Sequence, residues 1–462
     1  MSVIAMELRE PAAPRGLLSG LKAWLARRRA RREDAFGRIP RAAYVRPIHR
    51  VLTPVGPGFW LNDPAAVKRV MVDNVANYPK TALERRFFAA VFGDGLLSTD
   101  GDTWRAHRRI MAPSFDPRSV AAYAPVMASA TEDFAARWDA LAPNASVDMA
   151  AEMTALTLEI IAQTMFSTSS ARLAGLINET VQSAQAAIDF NILDVAPVVG
   201  PARLKARDAK MRAIFAELDG ALDRLICERE MTTGEAPGDL LGRLLAAKDN
   251  DTGAAMSARE VRDQVVTIFL AGHETTAAAM TWVWYLLARN PAEAARLHGE
   301  LDAVLGGRTP TAEDVQRLPY TRMVIEEAMR LYPPAPGVSD RQARAPDMIA
   351  GARVPRGARV FINSWVLHRN PAWWPDPERF DPERFSAERV KARPRYAYMP
   401  FGAGPRVCIG AALALTEAAL ILAVLAQRYQ PTLASDAPVR LQQRITLRPR
   451  GGLPMRLVRR GA

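Results

Sequence analysis

The stretch from Ser257 to Asn290 constrains the fold more than any other. It opens on "SARE", a capping box with Ser257 as N-cap and Glu260 at the third helical position. Apolar residues then recur at helical spacing until Pro291, which ends the helix. Roughly 33 residues at about 1.5 Å each predict a helix about 50 Å long, enough to cross a whole globular protein. From Val265 to Ala288 the run is apolar enough to imitate a membrane span. His273 and Glu274 would then sit near mid-bilayer at a cost of a few kcal/mol each, with no second span to shield them. A buried core helix is the expectation.

Helical periodicity dominates elsewhere too, as in "MTALTLEIIAQTMF" (153–166). Strand-like pieces are short and fall near residues 42–62 and 348–364, with more toward the C-terminus. The expected fold is mainly α with small β-sheets, residues 1–40 forming a basic N-terminal segment and 41–462 a single domain. Residues 1–50 hold twelve Lys/Arg against four Asp/Glu, so +8 of the net charge of +12 sits there. The near-balanced remainder argues against nucleic acid as a partner. Within the segment, Leu17, Leu18, Leu21, Trp24 and Leu25 share a helical face ahead of five arginines. That pattern suits either weak contact of residues 17–32 with an anionic membrane surface or a solvated helix resting on the body. It is too short for a span and has no small-residue cleavage site.

Two cysteines cannot staple a chain of 462 residues, which points to a reduced, cytoplasmic setting. The five histidines show no zinc-ligand spacing with a cysteine pair. Cys227, inside "ALDRLICERE", reads as a buried inert thiol. Cys408 does not, because "FGAGPRVCIG" surrounds it with glycines at 402, 404 and 410, residues suited to tight turns or close approach.

Three further clusters carry chemistry. On the central helix, "AGHETT" combines a small face at Ala271-Gly272 with Glu274, Thr275 and Thr276; mid-helix threonines compete for the i−4 carbonyl and bend helices. "VIEEAMRLYPP" sets Glu327 and Arg330 three apart, and Arg384 in "PERF" offers a third member; such a pair is either an exposed contact worth a few tenths of a kcal/mol or a buried one needing further partners. In "GDTWRAHRR", Trp104 and Arg108 share a face suited to a carboxylate or phosphate, with Arg341 and Arg406 as two more cations aimed at anions.

Taken in order from about residue 40 to the end, these segments resemble the cytochromes P450, haem-thiolate monooxygenases. Phe401, Gly404, Arg406, Cys408 and Gly410 fit every fixed position of that family's cysteine motif, and "LHRNPAWWPDPERFDPERF" precedes it as the family requires. The resemblance implies the P450 fold and haem b with Cys408 thiolate as axial ligand to iron. It implies shielding of the sulfur by Phe401, and propionates held by Trp104, Arg108, Arg341 and Arg406. Space for dioxygen would lie at Ala271-Gly272. Glu274 and Thr275 match the family's proton-delivering pair, and Glu327, Arg330 and Arg384 its buried structural triad.

Three segments match those lining the family's substrate pocket: 84–97 with Phe87, Phe88 and Phe92, 186–200 with Asp189, Asn191 and Asp194, and 334–340 with Pro336 and Val338. Leu270 joins them on the central helix. Their apolar character implies a fatty acid, terpenoid or steroid-like substrate, with Arg85-Arg86 as either a carboxylate anchor or plain surface. Electrons are expected from a separate donor such as a ferredoxin with its reductase, because no Gly-x-Gly-x-x-Gly is present and only about fifty residues follow Gly410. A monomer is expected. A peroxide-driven or isomerising haem-thiolate enzyme is one rival reading, disfavoured by Glu274-Thr275; a haem-based gas sensor is another, disfavoured by the absence of an output module.

Overall fold

The structure, a computed structural model, describes residues 36–461 apart from 38, 54–55, 168–170, 188–199, 232–237, 338 and 444. The basic helix expected at 17–32, most of the 186–200 segment and Val338 therefore lie outside the described residues. Helices dominate what is described, with small sheets at the edge.

The central helix runs Ala258–Arg289, and its capping box is formed: the Ser257 side chain accepts from Glu260 N–H while the Glu260 carboxylate accepts from Ser257 N–H at 2.8 Å. Leu270, His273, Glu274 and both tryptophans are buried, as a core helix demands. The helix is α along its whole length, and Thr275 Oγ1 donates to Ala271 O at 2.6 Å, the i−4 bond by which a mid-helix threonine competes for the carbonyl. Against it pack Met149–Phe166, Pro319–Leu331 and Ala411–Arg428, which share one continuous core with Pro117–Asp139. Among the described residues Ala411–Arg428 is the one helix long and apolar enough to cross a membrane, and most of it is buried in this core.

Two small sheets position the site. In the first, Ile48–Thr53 pairs antiparallel with Gly56–Leu61, which runs parallel to Arg359–Ile362; the short strand Arg341–Gln342 closes the order. Arg341 is thereby fixed opposite Val360 and bridges to Lys80. In the second, Leu441–Gln443 and Leu447–Pro449 form an antiparallel hairpin. Trp282 of the central helix donates from Nε1 to Leu447 O at 2.9 Å, which pins that hairpin to the core.

Candidate active site

One cavity of about 460 Å³ lies between the central helix and the loop before Ala411–Arg428. The loop is shaped by two glycines in the left-handed region, Gly402 at φ 77° and Gly404 at φ 66°. A Cβ on Gly404 would collide with the carbonyl oxygen of Met71, so only glycine fits there. Cys408 N donates to Phe401 O at 2.8 Å, and Gly410 caps the helix that follows.

The Cys408 thiol has exposed surface, yet protein encloses it; the exposure is to the cavity. Burial pushes its pKa up, countered by the Gly410 N–H and the Arg108 cation. Facing the same space from the central helix are Leu270, Ala271, Gly272, Glu274, Thr275 and Thr276. Behind Gly272 stands Ile161 of the neighbouring helix, which a Cβ there would meet at 3.4 Å, an ordinary contact.

Glu274 is not a free acid. Its Oε1 accepts from Arg448 Nη2 at 2.6 Å, and Arg448 Nε donates to Thr446 Oγ1 at 2.9 Å. The hairpin thus supplies a cation for Glu274 and, through Ile445 and Thr446, part of the cavity wall.

At one end of the cavity cations converge. Trp104, Arg108, Arg341 and Arg406 all line it. Arg406 pairs with Asp100 and stacks over Trp104 at 4.8 Å. Sequence reasoning missed Lys80, whose ammonium donates to the carbonyls of Leu96, Leu97 and Thr99 at 2.8–3.2 Å. Burial, then Arg406 and Arg341, push Lys80 down to about 8; burial and Arg406 push Arg341 down to about 10. Among the described residues Arg341 Nη1 and Arg406 Nη1 are buried donors without an acceptor. Mutually repelling cations with orphaned donors fit two missing carboxylates, and a thiol opening into the adjoining space fits a metal ligand. The residues therefore fit haem: the cations for its propionates and Cys408 for its iron.

Most of the remaining wall is apolar. Phe88, Val91, Phe92, Leu96, Ile268 and Leu270 are among its residues. Phe87 does not line the cavity; it packs edge-on to Phe88, with Arg207 5.8 Å from its ring. The reason is helical phase, because Ala82–Phe92 turns Glu84, Phe88, Val91 and Phe92 inward together. Arg86 is bound to Asp208 at 3.1 Å and so is not a free anchor. Cys227 is exposed, contrary to its expected burial, and stands 3.8 Å from Met231 Sδ.

Away from the cavity, Glu327 and Arg330 are fully buried and paired through two bonds of 2.6 and 2.8 Å. Arg330 also donates to the carbonyls of His368, Pro377 and Arg379, and Glu327 Oε1 accepts from Asp381 N–H at 2.9 Å. Arg384 stands 3.5 Å from Glu327 Oε1. The exposed alternative for this pair is excluded.

The family model "Cytochrome P450" matches residues 46–453. The chain belongs to the cytochrome P450 family. Among curated P450 relatives, cyclooctatin synthase from Streptomyces melanosporofaciens is 38% identical over 79% of this chain and 79% of its own. Cyclooctat-9-en-7-ol 5-monooxygenase from the same organism is 37% identical over 74% of this chain and 73% of its own. The crystal structure of the cytochrome P450DA heme domain superposes with a TM-score of 0.80 at 28% identity, covering 90% of both chains. The protein is a cytochrome P450 monooxygenase with the P450 fold. Membership implies haem held by a cysteine thiolate, with dioxygen, an organic substrate and a redox partner.

Proposed function

We propose that this P450 binds haem b through Cys408 and hydroxylates a hydrophobic substrate, of fatty acid, terpenoid or steroid-like character, with electrons from a separate protein such as a ferredoxin. The observation that carries this reading is the division of one cavity. Its wall combines a group of cations, the Cys408 thiol, Glu274-Thr275 on the central helix and a remainder that is mostly apolar. When bound, the haem supplies the iron at which dioxygen is reduced, and thiolate donation favours O–O cleavage. Trp104, Arg108, Arg341 and Arg406 hold its propionates, and Lys80, its three N–H groups already bonded to carbonyls, adds positive charge beside them.

The protein's own groups manage protons and exclude water. Thr275 presents a hydroxyl to the cavity while bonded to Ala271 O. Glu274 is buried against Arg448, which is about one-third exposed, so the carboxylate that relays protons by way of water lies near solvent while the guanidinium stays protonated and holds it in place. Phe88, Phe92 and Leu270 offer apolar surface, each Å² covered being worth about 25 cal/mol. The two Streptomyces relatives support an apolar substrate, since the name of one specifies an unsaturated alcohol.

A spectral titration tests the substrate class. Long-chain fatty acids and terpenoid or steroid compounds should shift the haem toward high spin, while sugars and nucleotides do not. Spin shifts confined to small polar compounds would contradict it and leave haem binding intact.

A further inference from the structure

Besides Glu274 and Glu84, a third carboxyl lies on the cavity wall, in contact with the second threonine of the central helix. Glu417 sits in Ala411–Arg428, the helix that follows the cysteine loop, and is only 5% exposed. Its Oε2 accepts from Thr276 Oγ1 at 3.3 Å, and its Oε1 has no hydrogen-bond partner among the described residues. Both Glu417 and Thr276 line the same cavity as Cys408, Glu274 and Thr275. The three cavity-wall carboxyls differ in their company. Glu274 has Arg448, and Glu84 has Lys80 and Arg341 near it. Glu417 has no cation beside it among the described residues; burial and the Thr276 hydroxyl are the influences on it.

An ionised carboxylate in that position would keep one oxygen buried with nothing to bond and no counter-charge, which is costly. A neutral acid buries no charge, and its O–H can donate to Thr276 Oγ1.

We propose that Glu417 is a proton-holding residue that works through Thr276, giving the cavity a second proton entry beside Glu274-Thr275. In each transfer Glu417 gives its proton to Thr276 Oγ as Thr276 releases its own to a water in the cavity. The delivered proton is consumed in the reduction of dioxygen that the monooxygenase reaction already requires, and the resulting carboxylate regains a proton from solvent, so no net charge accumulates. Burial pushing the Glu417 pKa up to about 8 agrees with a proton held at neutral pH. The proposal rests on the cavity being the oxygen-activating site, but its first test does not.

Infrared difference spectra of the holoenzyme, wild type minus Glu417→Gln, should show at neutral pH a protonated-carboxyl C=O band that moves in deuterated water. Thr276→Val should keep that band and shift its frequency, since the carboxyl loses its hydrogen-bond partner. If Glu417→Gln fails to fold, the Thr276→Val shift alone decides. No carboxyl band in the first spectrum, or no shift in the second, overturns the proposal. In a reconstituted chain, Glu417→Gln should lower product per NAD(P)H by roughly two- to tenfold, below the 10²–10⁴ range of a directly placed acid, with a larger solvent isotope effect. Unchanged coupling alongside the band would overturn the transfer role while leaving the monooxygenase reading untouched.

Discussion

Arg448 Nη2 meets Glu274 Oε1 at 2.6 Å, a bond that joins the C-terminal hairpin to the middle of the central helix across 174 residues of sequence. The hairpin that supplies Arg448 also supplies Ile445 and Thr446 to the cavity wall, so substrate contact and the state of Glu274 share one element.

Removing that cation should impair proton handling more than binding. Arg448→Ala removes the cation bonded to buried Glu274, a change worth up to a few kcal/mol. Spin shifts with an apolar ligand should persist, while product formed per NAD(P)H falls several-fold. Arg448→Lys should recover part of the loss. Equal coupling in all three proteins would mean that the pair is structural.

Arg330→Ala should give little haem-bound protein. It strands Glu327 at zero exposure and frees three carbonyls of their donor. Breaking a buried pair costs about 3–5 kcal/mol, against a typical total of about 5–15 kcal/mol. Yield and haem content per polypeptide measure the effect; normal values for both would contradict it.

Gly404→Ala should damage the cysteine loop. The new Cβ must enter the space of the Met71 carbonyl, and φ at 66° adds strain of about 1–3 kcal/mol. Gly461→Ala, where nothing lies within 4 Å, is the matched control. Haem retention during thermal melts should fall in the first and not the second.

How much of this was legible in the sequence depended on reach. The Ser257–Glu260 box is local, and it formed as read. Glu327 and Arg330 could be paired by spacing, but their burial could not be read. It comes from backbone near 377–381, about fifty positions away. Lys80 had no signal, because three carbonyls hold it and carbonyls leave no trace in side-chain identity. Arg448 and Asp208 are partners across long separations, invisible to periodicity. Phe87 was misplaced for a local reason. Three nearby phenylalanines looked equivalent, while the helix turns only Phe88 and Phe92 inward.

Glu417 also predicts a pH dependence of stability. In the unfolded chain its proton leaves near the ordinary value of 4.5, whereas the folded protein holds it up to about 8. Between those values the folded state binds the extra proton, so this group's contribution to stability declines as pH rises from about 4.5 to about 8. Thermal melts of the holoenzyme across that window should show a steeper decline in wild type than in Glu417→Gln. Parallel curves would mean that Glu417 titrates normally.

The optical spectrum of the reduced, carbon monoxide-bound protein, recorded for wild type and Cys408→Ser, tests thiolate ligation most directly. Wild type should show the red-shifted band that thiolate donation produces, and Cys408→Ser should lose it while Cys227→Ser keeps it. A red-shifted band surviving in Cys408→Ser would show that another group holds the iron.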